Sequence, residues 1–223
     1  MKVVYTIDKQ KDKKKIYTML KSQDPKGNLN RAKSMGIDLD TFKLIQQNKS
    51  YKEVKSKIDG IYESRYSKDK DLLFQKRNEF QRKWDEINDK FFVETQKITD
   101  LEWKFSEYNV ITSLFHPGIS NMFGNEVYLW IYDTSQVHLR IVAHELLMTH
   151  IWNYFFSNFP IEDVSNNWNK YWSVNEIVCS FILGIEPTLN SLWSDDMKGY
   201  DDSYLQDYPQ LFILKKVFII PIL

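Results

Sequence analysis

Apolar positions along the chain recur with two different periods, and the change of period divides it. "VVYTI", residues 3–7, is β-branched and aromatic and predicts a short strand. "KDKKKIYTMLKS" predicts a helix, and "DPKGN" at 24–28 predicts a turn. From Leu39 to Tyr62 the apolar residues Leu39, Phe42, Ile45, Tyr51, Val54, Ile58 and Ile61 fall at helical spacing. A longer amphipathic helix is expected from about Lys68 to Glu107. There Phe80, Trp84, Ile87 and Phe91 step by four, three and four, Ile98 continues the stripe, and the other faces are charged. Such a stripe faces the core of its own molecule or, in the alternative, a partner.

The period changes at Tyr108. "YNVITSLF" and "EVYLWIYD" are β-prone, with the turn-rich "HPGISNMFGN" between them. Thr134 or Ser135 then offers an N-cap for a helix over about 136–156. "FPIEDVSNNWNKYW" reads as an aromatic-rich loop. "SVNEIVCSFILG" begins a further helix that ends near Gly184, and short broken helices follow. The expected fold is α+β and mostly helical. A small sheet of about three strands would pack on the helix of 136–156. One domain spans 1–223, with a strand and long amphipathic helices in 1–107 and the candidate chemistry in 108–223.

Composition narrows the function classes. Thirty basic and thirty acidic residues cancel, 43% of residues are apolar and 27% are charged. This is the balance of an ordinary globular protein. Lysine runs such as "KQKDKKK" come without a nucleic-acid-binding signature, so they read as solvated faces and no nucleic-acid partner is expected. The single cysteine, Cys179, lies in an apolar run and reads as packing. No signal peptide is apparent. "LFILKKVFIIPIL" is too short, and too interrupted by Lys215 and Lys216, to span a bilayer. A cytoplasmic location is expected.

The chemistry concentrates in "HELLMTH", residues 144–150. It begins as H-E-x-x-H, in which histidines at i and i+4, about 40° apart on a helix, share one zinc with the glutamate as general base. Here Met148 holds the second-histidine position. His150 follows His144 by six residues, about 120° around the helix and about 9 Å along it, so the two are no simple pair. His138 and His144 fail in the same way. Met148 is the residue spaced to share a metal with His144, and a thioether suits Cu(I) better than zinc. Glu176, in "VNEIVCS", is a candidate third ligand on the next helix. It is also the last residue of Ser173-Val-Asn-Glu176, a capping-box pattern, and the two roles exclude each other. His116, in "FHPG", reads as a surface turn residue.

On these residues the chain resembles the gluzincin class of zinc metallopeptidases, whose pattern is H-E-x-x-H followed by N-E on a later helix. More closely, "SLFHPGISNMFGNEVYLWI" and "IVAHELLMTHIWNYF" look like small microbial zincin-like proteins whose helix reads H-E-L-x-H-x-H. The resemblance covers about residues 108–185. It implies His144 as first zinc ligand, Glu145 as general base, Glu176 as third ligand and Asn175 as the N of N-E. His150 then matches the extra histidine, and Met148 departs from the pattern at the second ligand. The implied function is a zinc metallopeptidase-like protein, a weak or inactive relative because of Met148. A peptide or protein substrate would lie along the strand "EVYLWIY". The alternative is a non-catalytic helical interaction module whose seam runs from Phe80 to Ile98, with the His-Glu pair incidental.

Overall fold

The structure is a computed structural model, and it describes residues 1–21, 25–47, 50–115, 124–132, 135–184 and 187–193. The chain is an α+β protein, predominantly helical, with a three-stranded sheet among these residues. In chain order the elements are β1 (Lys2–Thr6), α1 (Lys9–Leu20), α2 (Pro25–Ser34), α3 (Leu39–Gln46), α4 (Tyr51–Asp85), α5 (Asn88–Thr99), β2 (Glu107–Ser113), β3 (Glu126–Trp130), α6 (Ser135–Asn158), α7 (Ile161–Asn166), α8 (Trp168–Gly184) and α9 (Pro187–Asn190).

Short polar side chains start the helices. Asp8 accepts from the N–H groups of Gln10 and Lys11 at the head of α1, and Asp38 accepts from Thr41 N–H at the head of α3. Glu53 reaches back to the Ser50 N–H, 2.7 Å away, at the head of α4. Several expected boundaries shift. Pro25 opens α2 instead of sitting in a turn, because its missing N–H costs nothing in the first helical turn. The helix expected over 68–107 is two helices. α4 starts at Tyr51 and stops at Asp85, α5 ends at Thr99, and Asp100 closes it in the left-handed region at φ 52°. The aromatic-rich loop is mostly helical, as α7 and the start of α8.

All three strands run parallel in the order β1-β2-β3. The register runs from Lys2↔Glu107 to Thr6↔Ile111 and from Asn109↔Glu126 to Ser113↔Trp130. Val3, Tyr5, Tyr108, Val110, Val127 and Leu129 share one face and join a core with Phe80, Trp84, Phe91 and the apolar side of α6. The stripe Phe80, Trp84 and Phe91 is fully buried and Ile87 is partly buried against the same core, whereas Ile98 is exposed. A second apolar cluster joins α1–α3 to the first half of α4 and to Leu114, Phe115 and Ile131 at the strand ends.

Two amides close the outer edge of β1. Gln81 accepts from Tyr5 N–H (2.8 Å) and donates to the Val3 carbonyl (3.0 Å), and Asn88 donates to the Met1 carbonyl (3.1 Å). At the far end of the sheet, Asp12 of α1 is buried and accepts from Ser113 Oγ, Leu114 N–H and the Tyr62 hydroxyl. No described helix is long and apolar enough to cross a membrane.

Candidate functional site

α6 and α8 cross at the motif. His144 sits on a helix that is apolar over most of its circumference. Val142, Ala143, Leu146, Leu147, Met148, Ile151 and Trp152 are all buried, and this fixes the rotation of α6 against the sheet and α8. Ser173 lies inside α8, six positions into the helix, so it cannot cap it. Glu176 is therefore not in a capping box, and its side chain crosses to α6. His144 Nε2 lies 3.2 Å from Glu176 Oε2, with the two side chains 23% and 9% exposed. The sequence order required approach within about 5 Å for a shared ion, with each ligand about 2 Å from it.

The contact has the length of a hydrogen bond without its direction. Oε2 has no hydrogen-bond partner among the described residues. Two ligands held at 2.0–2.1 Å on a tetrahedral zinc stand about 3.3 Å apart. The separation found is close to that distance, and it is also the length of a direct imidazole–carboxylate contact. One residue before Glu176, Asn175 is fully buried. It donates to the Met148 carbonyl (3.0 Å) and accepts from Cys179 Sγ (3.2 Å). The first of these bonds pins α8 to the turn of α6 that begins at His144, and the second lies within α8. Burial pushes the Cys179 thiol pKa up, and the nearby Glu176 and Glu145 charges push it the same way.

His150 is not part of this gathering. Its Nε2 lies 3.1 Å from Thr99 Oγ1, its ring stacks on Trp103 at 4.2 Å, and it is 2% exposed. Burial pulls its pKa down to about 4, so the imidazole is neutral at pH 7. His138 is buried against Phe80, ring on ring at 3.9 Å. His116 lies outside the described residues. No group of three or more His, Cys, Asp or Glu side chains is placed to hold a metal among the described residues.

Glu145 is partly buried, and its charge acts on a residue of α1 that spacing along the chain does not reveal. Lys15 of α1 has its Nζ 4.8 Å from the Tyr128 ring centroid on β3, the face opposite Val127 and Leu129. Desolvation lowers its pKa, and the charges of Glu145 and Glu126 oppose that shift. Glu145 thus shares its surroundings with an ammonium group from the first helix. The Thr149 hydroxyl donates to the Glu145 carbonyl (3.0 Å), a bond internal to α6.

No family model matches the chain, and no curated protein and no solved structure matches it. The functional reading therefore rests on the donors themselves. They are one imidazole and one carboxylate, with a thioether at the second-ligand spacing. This set does not fit catalytic zinc, which takes three protein ligands and leaves a fourth position for water.

Proposed function

We propose that this chain is a zinc metallopeptidase-like protein whose metal site is incomplete, making it a weak or inactive relative of a hydrolase. One observation carries the reading. His144 and Glu176, from two helices and 32 residues apart, converge to 3.2 Å, and among the described residues the carboxylate oxygen has no hydrogen-bond partner. A buried carboxylate oxygen without a hydrogen bond is costly, and an ion held between the two side chains would offset that cost. The same pair held only by its own attraction would be a helix-to-helix tie.

Glu145 occupies the position of the general base in the resemblance. The missing ligand points toward weak hydrolysis. Of the seam from Phe80 to Ile98 on which an interaction module would rest, Phe80, Trp84 and Phe91 are buried in the core of this molecule, Ile87 is partly buried and Ile98 is exposed. Calorimetric titration of zinc into the parent and into Met148→His tests the proposal. Weak binding by the parent and tight one-to-one binding by the variant are expected. Equal affinities in the two proteins would remove the metal reading of the pair.

A further inference from the structure

Where the chain turns from α6 through α7 into α8, it presents a contiguous apolar surface. Tyr154, Phe159, Ile161 and Val174 are each between 38% and 62% exposed. Tyr154 meets Phe159 edge-to-face at 6.3 Å, Phe159 meets Tyr171 at 5.7 Å, and both Phe159 and Tyr171 rest on the buried Phe155. Val174 follows Tyr171 by three residues, on the same side of α8. Ile161 opens α7 two residues after Phe159. The Tyr171 hydroxyl donates to Asp163 Oδ2 (2.6 Å), which holds the head of α7 against the same surface. Apolar residues exposed singly need no explanation, whereas a continuous aromatic patch marks a surface that something covers.

We propose that residues 211–223 of this same chain dock on that patch. The segment, "LFILKKVFIIPIL", lies outside the described residues. Ten of its thirteen residues are apolar, which disfavours leaving it in water, and it is too short and too interrupted by Lys215 and Lys216 to span a bilayer. Its attachment point puts the patch within reach. Trp193 donates from Nε1 to the Leu183 carbonyl (2.9 Å), so the last described residue stands at the far end of α8. From Leu183 back to Tyr171 is about 18 Å along the helix axis. The seventeen residues 194–210 reach up to about 56 Å when extended. The segment therefore meets the patch of its own molecule with length to spare, and so short a tether supplies it at an effective concentration on the order of millimolar. Glu162 and Asp163 are exposed next to Ile161 and offer charges opposite to Lys215 and Lys216, outnumbering the like charge of Lys170 beside Tyr171. The docking is independent of any metal at His144 and Glu176.

Hydrogen exchange of the full chain, read by mass spectrometry on peptides from 211–223, tests the docking. The parent is compared with Phe159→Asp combined with Ile161→Asp, and with Phe218→Asp in the segment itself. Phe159 and Ile161 are exposed, so the fold should survive their replacement, and circular-dichroism melting verifies that it does. After correction for intrinsic rates, the segment should exchange roughly tenfold or more slowly in the parent than in either variant. That protection should be independent of protein concentration, with a monomer mass by light scattering. Rapid exchange in the parent, or protection that survives Phe159→Asp with Ile161→Asp, overturns the docking. Protection that grows with concentration alongside a dimer mass also overturns it, and assigns the patch to a second copy of the chain. Protection that arises only on adding vesicles of phosphatidylcholine and phosphatidylglycerol overturns it in favour of a lipid surface.

Discussion

Asn175 donates from its side-chain amide to the main-chain carbonyl of Met148 across 3.0 Å, tying α8 to α6 at the turn that carries the motif. The amide is fully buried and also accepts from Cys179. Asn175→Ala should cost about 1–3 kcal/mol in urea unfolding. Asn175→Asp should cost more, because it would set a buried carboxylate against a carbonyl oxygen. Two variants as stable as the parent would show that the crossing is held by apolar packing alone.

Trp84 joins the two halves of the stripe. It is fully buried, meets Phe91 edge-to-face at 5.3 Å and donates from Nε1 to Asn88 Oδ1 (3.0 Å), bridging the break between α4 and α5. Trp84→Ala should destabilise by about 3–5 kcal/mol, read from the denaturant midpoint at constant slope. A cost below about 1 kcal/mol would mean that the core closes over the gap without it.

Asp12 sets a pH dependence of known sign. Burial raises its carboxyl to about 6, against the lowering effect of its bonds from Ser113, Leu114 and Tyr62. The folded value lies above the unfolded one, so the group's contribution is complete below about pH 4 and is lost as pH rises through 6. The difference corresponds to about 3 kcal/mol at most. Asp12→Asn keeps an acceptor for the Leu114 N–H without the charge. Its stability relative to the parent should therefore rise between pH 4 and 7. Parallel stability curves for the two proteins over that range would exclude a buried, titrating Asp12.

Rebuilding the motif gives the sharpest metal test. Met148→His supplies the second imidazole at the four-residue spacing and should bind one zinc more tightly than the parent. Adding Glu176→Gln should weaken that binding again, by roughly tenfold to a hundredfold if the carboxylate is a ligand. Zinc affinity that is indifferent to Glu176→Gln in the rebuilt protein would mean that the carboxylate does not reach the metal.

The period of the apolar residues revealed most elements, and the discrepancies have identifiable causes. The stripe from Phe80 to Phe91 runs through the break at Glu86 and Ile87, since both helices bury the same side, so periodicity alone could not separate α4 from α5. Pro25 and Pro160 read as turn or loop residues, yet each stands at the start of a helix, where a missing N–H is harmless. Parallel pairing left no mark in the pattern, because strands buried on either face look alike in both senses. At the site, the convergence of His144 and Glu176 was legible from motif order. The dismissal of the capping box was not, since Ser173-x-x-Glu176 satisfies that pattern wherever the helix begins. The influence of the Glu145 charge on Lys15 was hidden by their 130-position separation, and only the fold produces it.

The amide clasp on β1 bears on how the chain assembles. Lys2 pairs with Glu107, and the outer side of the strand is held by Gln81 and Asn88, so both sets of partners for β1 are made long after β1 itself. The outer side of β1 is met by Gln81 and Asn88, 76 and 87 residues away along the chain from the groups they bond, and the inner side by β2. Closing loops this wide is slow, so both sides of β1 are covered by late contacts. Gln81 shields the edge of the finished sheet that faces away from β2.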